Sequence, residues 1–232
     1  SEVSSALETG LKLQALTLVA AARSIAADPR LSQALESGDV ERLLQDWGAL
    51  FKVLANEINL THLYFLDRNR ICLLRVHHPE KYGDVINRYT ALQAERTGKS
   101  STGVELGPLG TFTLRAVLPV YAQGRLIGYV ELGKEIEDLM QEVQQRSSSQ
   151  IAIVIDKKHL KRENWERGMH MLGREAQWDR LPDRVIIYAS QGLLPDAFLQ
   201  LKSRDKEARE SFDKRDRQTT FQEIGFEGRV WL

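Results

Sequence analysis

Apolar residues recur at helical spacing through residues 1–58 and predict a stalk of three helices. Over 3–28 one long helix carries two apolar rows, and Asp28-Pro29 ends it. The rows are Leu7, Leu11, Leu18, Ala22 and Ile25, and Val3, Ala6, Leu13, Leu16 and Ala20. The second row indicates a sister helix, and burial on two sides within a monomer is the alternative. A short helix near 30–36 and a longer one over about 39–58 complete the stalk.

From residue 59 the pattern changes to alternation and short apolar runs between turn residues, which is typical of strands. Two strands, a helix and three antiparallel strands are predicted at 61–66, 71–78, 85–97, 102–106, 111–121 and 126–133. A helix over 135–146 leads to a Ser-rich seam and a second unit. That unit has a strand, helix and strand at 151–155, 157–172 and 184–189, then a short helix at 195–201 and a strand start at 226–232. This order predicts an α+β fold with two antiparallel sheets, the second truncated.

Alternation along the strands of the first unit predicts a sheet with one apolar and one mixed face. Cys72 is assigned to the apolar face, which packs on the helices, and Ile127 to the mixed face. We expect a lid, residues 79–99, to cover the mixed face and leave a pocket for a small ligand. The candidate ligand-binding residues are Arg75, His77, Tyr82, Arg88, Glu105, Arg115, Tyr129 and Glu131.

The residue types on this face suit a charged organic ligand. Arginine guanidinium groups fit a carboxylate, and the side chains of Glu105 and Glu131 fit an ammonium group. The alternative for each residue is an ordinary ion pair, such as one between Arg115 and Glu131 on neighbouring strands.

Composition narrows the functional classes. The 232 residues contain 32 basic and 32 acidic side chains, so no positive field favours nucleic acid. No segment reaches the roughly 20 apolar residues of a membrane span. The single cysteine, Cys72, excludes an intrachain disulfide and a cysteine-based metal cage, and its apolar neighbours favour a buried, inert thiol.

Other motifs point away from catalysis and metal binding. His77 and His78 are adjacent on a strand and therefore face opposite sides, so they cannot chelate one ion together. No nucleophile elbow or phosphate loop is present, so we predict no catalytic residue, no metal and no cofactor. The aromatic and sulfur-containing residues of the second unit are interpreted as its core. They are Trp165, Met169, Met171 and Trp178.

Several segments together resemble bacterial double Cache sensor domains, of the subtype described as the double sensory domain of two-component kinases. They are LRVHHP at 74–79 with YGD at 82–84, GVELGPLGTFTLR at 103–115, GRLIGYVELG at 124–133, IDKK at 155–158, WERGM at 165–169 and MLGR at 171–174. The resemblance implies two PAS-like (Cache) modules along one long N-terminal helix. The implied units are a helical stalk at 1–58, a membrane-distal ligand-binding module at 59–140 and a membrane-proximal module at 141–232, incomplete at its C-terminus.

The resemblance also implies a function. We expect the periplasmic sensor domain of an inner-membrane receptor, namely a histidine kinase, diguanylate cyclase or chemoreceptor whose membrane helices and output domain lie outside this chain. A small organic ligand, a carboxylate or an amine, would bind the distal module and change its conformation, and the N-terminal helix would form a homodimer. The alternative is a ligand-free dimerisation scaffold, which arginines paired within the protein would favour.

Overall fold

Three helices open the chain and confirm the predicted helical segment. The computed structural model describes residues 2–107, 109–147 and 150–190. The helices are α1 (Glu2–Ala26), α2 (Pro29–Ser37) and α3 (Val40–Ile58). Asp28 and Asp39 begin α2 and α3, because each carboxylate accepts a hydrogen bond from a backbone N–H of the following turn.

Helix α1 buries one of its two apolar rows and exposes the other. Leu18 and Ala22 are fully buried, whereas Leu13 and Leu16 are 60% and 66% exposed. The buried row packs against the sheet of the first unit. Within the described residues, the alternative of a helix buried on two sides is therefore wrong, and an apolar strip on α1 faces outward.

A five-stranded antiparallel sheet follows the helices and confirms the α+β fold. Its elements are β1 (His62–Asp67), β2 (Cys72–Arg75), α4 (Tyr89–Thr97), β3 (Ser101–Leu106), β4 (Phe112–Ala122) and β5 (Arg125–Glu135). The strand order is β2-β1-β5-β4-β3. Helix α4 starts later than predicted, because Val85 pairs with Ile71 in a β-bridge and the Ile86 N–H donates to the Arg70 carbonyl.

Two register shifts in this sheet change the face on which neighbouring side chains lie. The pairing of β1 with β2 shifts after Phe65, so Cys72 lies opposite Leu66 and packs on the mixed face. The pairing of β4 with β5 shifts after Val120, and Ile127 joins the apolar core. Both face assignments from the sequence are therefore wrong, because strict alternation fails where a bulge inserts a residue.

The second unit follows α5 (Glu137–Ser147) and has a smaller sheet. Its elements are β6 (Ala152–Asp156), α6 (Arg162–Met171) and β7 (Arg184–Ala189), with β6 and β7 paired antiparallel. Trp165 and Met169 are buried as predicted, but Met171 is 69% exposed because it lies at the outer end of α6. The predicted elements at 195–201 and 226–232, and with them the predicted truncation of this sheet, lie outside the described residues. None of the helices that the structure describes has the length and apolar character needed to cross a bilayer.

Candidate functional site

Four charged side chains meet on the mixed face of the first sheet, and we call them the charged cluster: Arg88, Glu105, Arg115 and Glu131. Glu131 is completely buried, and Arg115 and Glu105 are 5% and 7% exposed. β3, β4 and β5 supply three members, whose side chains alternate with those of the apolar core. Arg88 comes from the lid and precedes α4.

Each charged group of the cluster contacts groups of the opposite charge. One oxygen of Glu131, Oε1, accepts from Arg115 Nη1 at 2.7 Å and also from Arg88 Nη2. Oε2 of Glu105 lies 3.2 Å from Arg115 Nε and 3.6 Å from Arg88 Nε. Two positive and two negative charges thus compensate one another, which buried charges require.

The lid covers this cluster and is bonded to it. The backbone N–H and the hydroxyl of Thr90 donate to Glu105 Oε1 at 2.8 and 2.9 Å. Arg75 on β2 holds the other end of the lid, donating to both Asp84 carboxylate oxygens at 2.8 and 2.7 Å and to the Lys81 carbonyl at 2.6 Å. The hydrogen bonds from Arg75 lower the pKa of Asp84. The predicted cover of the mixed face is therefore present.

The ring of Tyr64 is a platform for three guanidinium groups that sequence reasoning missed. The guanidinium carbons of Arg88, Arg75 and Arg115 lie 5.0, 5.1 and 6.0 Å from the ring centroid, within cation–π range. Tyr64 pairs with Glu131 in the β1–β5 register. That pairing joins strands far apart in sequence, and no local signal in β1 indicates it.

Two histidines flank this platform in their neutral forms. The rings of His62 and His77 are 4.7 Å apart, and His77 Nδ1 accepts the Leu63 backbone N–H at 3.3 Å. Burial lowers the pKa of His77 to about 4 and that of His62 to about 2, with the positive charge of Arg115 contributing to both. Across the described residues no group of three potential ligands is arranged to hold a metal ion.

The remaining two candidates lie beside the cluster and outside it. Tyr129 is completely buried in an apolar corner with Cys72 and Ile86, and its hydroxyl has no hydrogen-bond partner. Burial raises the pKa of Tyr129 to about 12 and that of the Cys72 thiol to about 11, so both groups stay protonated at neutral pH. Tyr82 is 70% exposed on the lid. Of the eight predicted residues, four form the charged cluster and Arg75 and His77 reach it through Tyr64.

Several polar atoms of the cluster are buried without a hydrogen bond. They include Glu131 Oε2 and the Nε atoms of Arg88 and Arg115. The side chain of Arg88 is 26% exposed, so it is the most accessible member of the cluster. The arrangement can accept an N–H donor at Glu131 and offers a guanidinium to a carboxylate at Arg88.

Comparison with known proteins identifies the family of this chain. The model of the double sensory domain of two-component sensor kinases matches residues 2–177. No curated protein matches the chain. Domains of the matched family are non-catalytic sensor modules on the extracytoplasmic side of membrane receptors.

Solved sensor domains align with this chain at low sequence identity. The sensor domain of the V. cholerae histidine kinase DctB has a TM-score of 0.51 and 18% identity, over 67% of this chain and 59% of that one. The E. coli DcuS sensor domain has a TM-score of 0.48 and 20% identity, over 58% and 97%. The ligand-binding domain of the Campylobacter jejuni chemoreceptor Tlp3, in complex with L-valine, has a TM-score of 0.47 and 19% identity, over 67% and 64%.

The matches differ in how much of each protein they cover. The chain spans less than two thirds of the DctB and Tlp3 domains but nearly all of the DcuS domain. The likeness to the DctB domain, at 18% identity, concerns the fold alone. The family match covers well over half of the chain and includes both α1 and the complete first sheet. The chain therefore belongs to the double sensory domains of two-component sensor kinases.

Proposed function

We propose that this chain is the periplasmic sensor domain of a bacterial inner-membrane receptor and binds a small organic ligand at the charged cluster. The observation that carries the proposal is the carboxylate of Glu131. It is completely buried, its Oε1 holds two guanidinium groups, and its Oε2 has no hydrogen bond. An unpaired buried acceptor is costly, and a ligand with an N–H donor would satisfy it.

The ligand class follows from the cluster's charge balance. An ammonium group would pair with Glu131 Oε2, and a carboxylate would pair with Arg88, the member that solvent reaches. Each pairing exchanges a partner within the cluster, so no charge need be left unpaired. Arg88 belongs to the lid, and such an exchange would therefore move the lid. A ligand that binds the moved arrangement better shifts the conformational equilibrium.

The receptor context is part of the same proposal. The stalk would be residues 1–58, the membrane-distal module 59–140 and the membrane-proximal module 141–232. The output domain (histidine kinase, diguanylate cyclase or chemotaxis module) and the membrane helices would lie outside this chain. The exposed row of α1, with Leu13 and Leu16 at its centre, would pack against the same row of a second copy.

A second candidate function is favoured by a specific observation. Each arginine of the cluster is already paired with a glutamate. A ligand-free module whose ion pairs only fix the fold, and which acts by dimerising through α1, would have this arrangement.

A thermal-shift screen separates the two functions. Small organic acids, amines and amino acids are added to the chain, and the first proposal expects at least one to raise the melting temperature. Arg88→Met should abolish that rise. Arg125→Met, at an arginine on the far end of β5 whose side chain is 71% exposed, should leave it unchanged. No stabilising compound, together with a melting temperature that rises with protein concentration, would contradict ligand binding and support the scaffold.

A further inference from the structure

The loop between β3 and β4 lies directly against α6 of the second unit. Gly168 is in the middle of α6, where a β-carbon would lie 2.1 Å from the carbonyl oxygen of Leu109 and 2.9 Å from its Cβ. No side chain fits at that distance from a backbone atom. The helix and the loop therefore approach each other at a position that only glycine permits.

A second close approach lies one turn earlier on the same helix. Gly110 has a positive φ of 82°, and a β-carbon there would lie 2.6 Å from Cδ1 of Trp165. The Trp165 side chain is 2% exposed and its indole N–H has no acceptor among the described residues. The loop thus fits into α6 at two points, and the indole N–H of Trp165 lies at the contact.

The strands that carry this loop also carry the charged cluster. Glu105 on β3 is four residues before Leu109, and Arg115 on β4 is five residues after Gly110. The contact therefore lies in the loop that joins the two cluster-bearing strands, which pair from Ser101 with Val117 to Leu106 with Phe112. A paired hairpin resists bending, and packed interfaces adopt discrete arrangements in preference to gradual deformation.

We propose that the β3–β4 hairpin couples the charged cluster to the second unit, and that Gly168 is the positioning residue that allows this coupling. A change in the ion pairs of Glu105 or Arg115 displaces the hairpin, and α6 follows because the loop is in contact with it. The value of this coupling as a signal rests on the proposed function. The coupling itself does not require a ligand, because a substitution in the cluster supplies the same disturbance.

There is a competing route through α5. Glu137, two residues after β5, pairs with Arg174 at 2.5 Å, and Arg174 donates to the Ile187 carbonyl on β7 at 3.1 Å. A disturbance of the cluster could reach the second unit by that path. The test must therefore break the hairpin contact alone.

The experiment records the indole N–H resonance of Trp165 in the ¹⁵N-labelled chain, assigned with W165F. Glu105→Gln removes one charge of the cluster and keeps the side chain's shape. We expect it to shift the Trp165 resonance, and we expect the shift to fall by roughly threefold or more in a Gly168→Ala background. Gly48→Ala is the matched control, because Gly48 is also inside a helix but has only the Leu44 side chain nearby, at 3.8 Å. It should leave the shift intact.

Two results would overturn the proposal. One is an unmoved Trp165 resonance in Glu105→Gln, and the other is a shift that persists in full with Gly168→Ala. If Gly168→Ala does not fold, Leu109→Gly replaces it, since it loosens the contact from the loop side without adding an atom. A full shift with that variant contradicts the proposal equally. A protein that binds no ligand can still pass this test, so failure here is distinguishable from failure of the proposed function.

Discussion

One face of the five-stranded sheet is covered by helices, and the other is covered by the lid. On the helix side, Leu18, Phe65 and Leu132 are completely buried among other apolar side chains. On the lid side, Glu105, Arg115 and Glu131 are buried as ion pairs, and each needs a partner of opposite sign. The apolar contacts are non-directional and do not depend on pH, whereas the ion pairs depend on which partner is present.

This difference indicates that the two faces have different roles in the protein. Apolar burial holds α1, α2 and α3 on the sheet and contributes most of the stability. The charged face contributes less net stability per buried group, because desolvation offsets the attraction between charges. Under the proposed function, its ion pairs would be exchanged for those of a ligand without exposing the apolar core.

Removing one charge from the buried face should cost the most. Arg115→Met leaves Glu131 and Glu105 buried with one guanidinium between them, so the free energy of unfolding should fall by about 3–5 kcal/mol. Urea denaturation measures the loss. Arg125→Met removes an exposed arginine paired with Glu36 at 2.7 Å, and it should change the free energy of unfolding by less than about 1 kcal/mol. Equal effects of the two substitutions would remove the contrast between buried and surface charge.

Truncation on the apolar face should cost somewhat less and should not depend on pH. Leu132→Ala removes a completely buried side chain, and we expect a loss of about 3 kcal/mol from lost burial and the remaining cavity. The same loss should be measured by urea denaturation at pH 7 and at pH 5. A loss that changes with pH would show that the two faces are not energetically separate.

The two partly buried histidines on the lid side should make the protein less stable in mild acid. His62 and His77 have pKa values lowered to about 2 and about 4, below the ordinary value near 6.5 in the unfolded chain. The unfolded state therefore binds more protons below pH 6.5, and stability falls as the pH decreases from there towards 4. Because both rings keep some exposure, we expect a decrease of about 2 kcal/mol between pH 7 and pH 5.

Substitution of these histidines isolates their contribution. The double variant His62→Gln/His77→Gln should lose at least half of the pH dependence, as measured by denaturation between pH 7 and pH 5. His170→Gln, at an exposed position on α6, should retain it. An unchanged pH profile in the double variant would assign the acid sensitivity to other groups.

Release of the lid should have the smallest effect on global stability. The Asp84 side chain is 56% exposed, so Asp84→Asn should lower the free energy of unfolding by less than about 1 kcal/mol. The pKa of Asp84 is lowered in the folded state, so its contribution is present above the ordinary carboxyl pKa and disappears as the pH falls through the lowered value. Urea denaturation at pH 7 checks the size of the loss. A loss of several kcal/mol would show that the lid unfolds together with the core and contradict the prediction.

Periodicity in the sequence is enough to predict the layers and the face on which four of the candidate residues meet. The helix periods, the strand alternation and the turn residues are local signals, and they place Arg115 and Glu131 on one face of a sheet under 79–99. Helix ends were predictable where a capping residue marks them, as at Asp39.

The features that sequence reasoning missed depend on long-range pairing. The bulges that reposition Cys72 and Ile127 are set by the partner strands, and the bridge from Val85 to Ile71 delays the start of α4. The platform formed by Tyr64 requires β1 to lie beside β5. The local sequence contains no signal for any of these pairings.

If ligand exchange at the charged cluster moves the lid, we expect the lid side to open locally while the helix side stays closed. Cys72 tests it directly, because its thiol is 1% exposed beneath Ile86 of the lid and Ala91 and Ala94 of α4. A thiol reagent should label native protein faster than the protein unfolds globally, and Asp84→Asn should accelerate labelling roughly threefold or more. Labelling at the rate of global unfolding, unaffected by Asp84→Asn, would contradict a lid that opens independently.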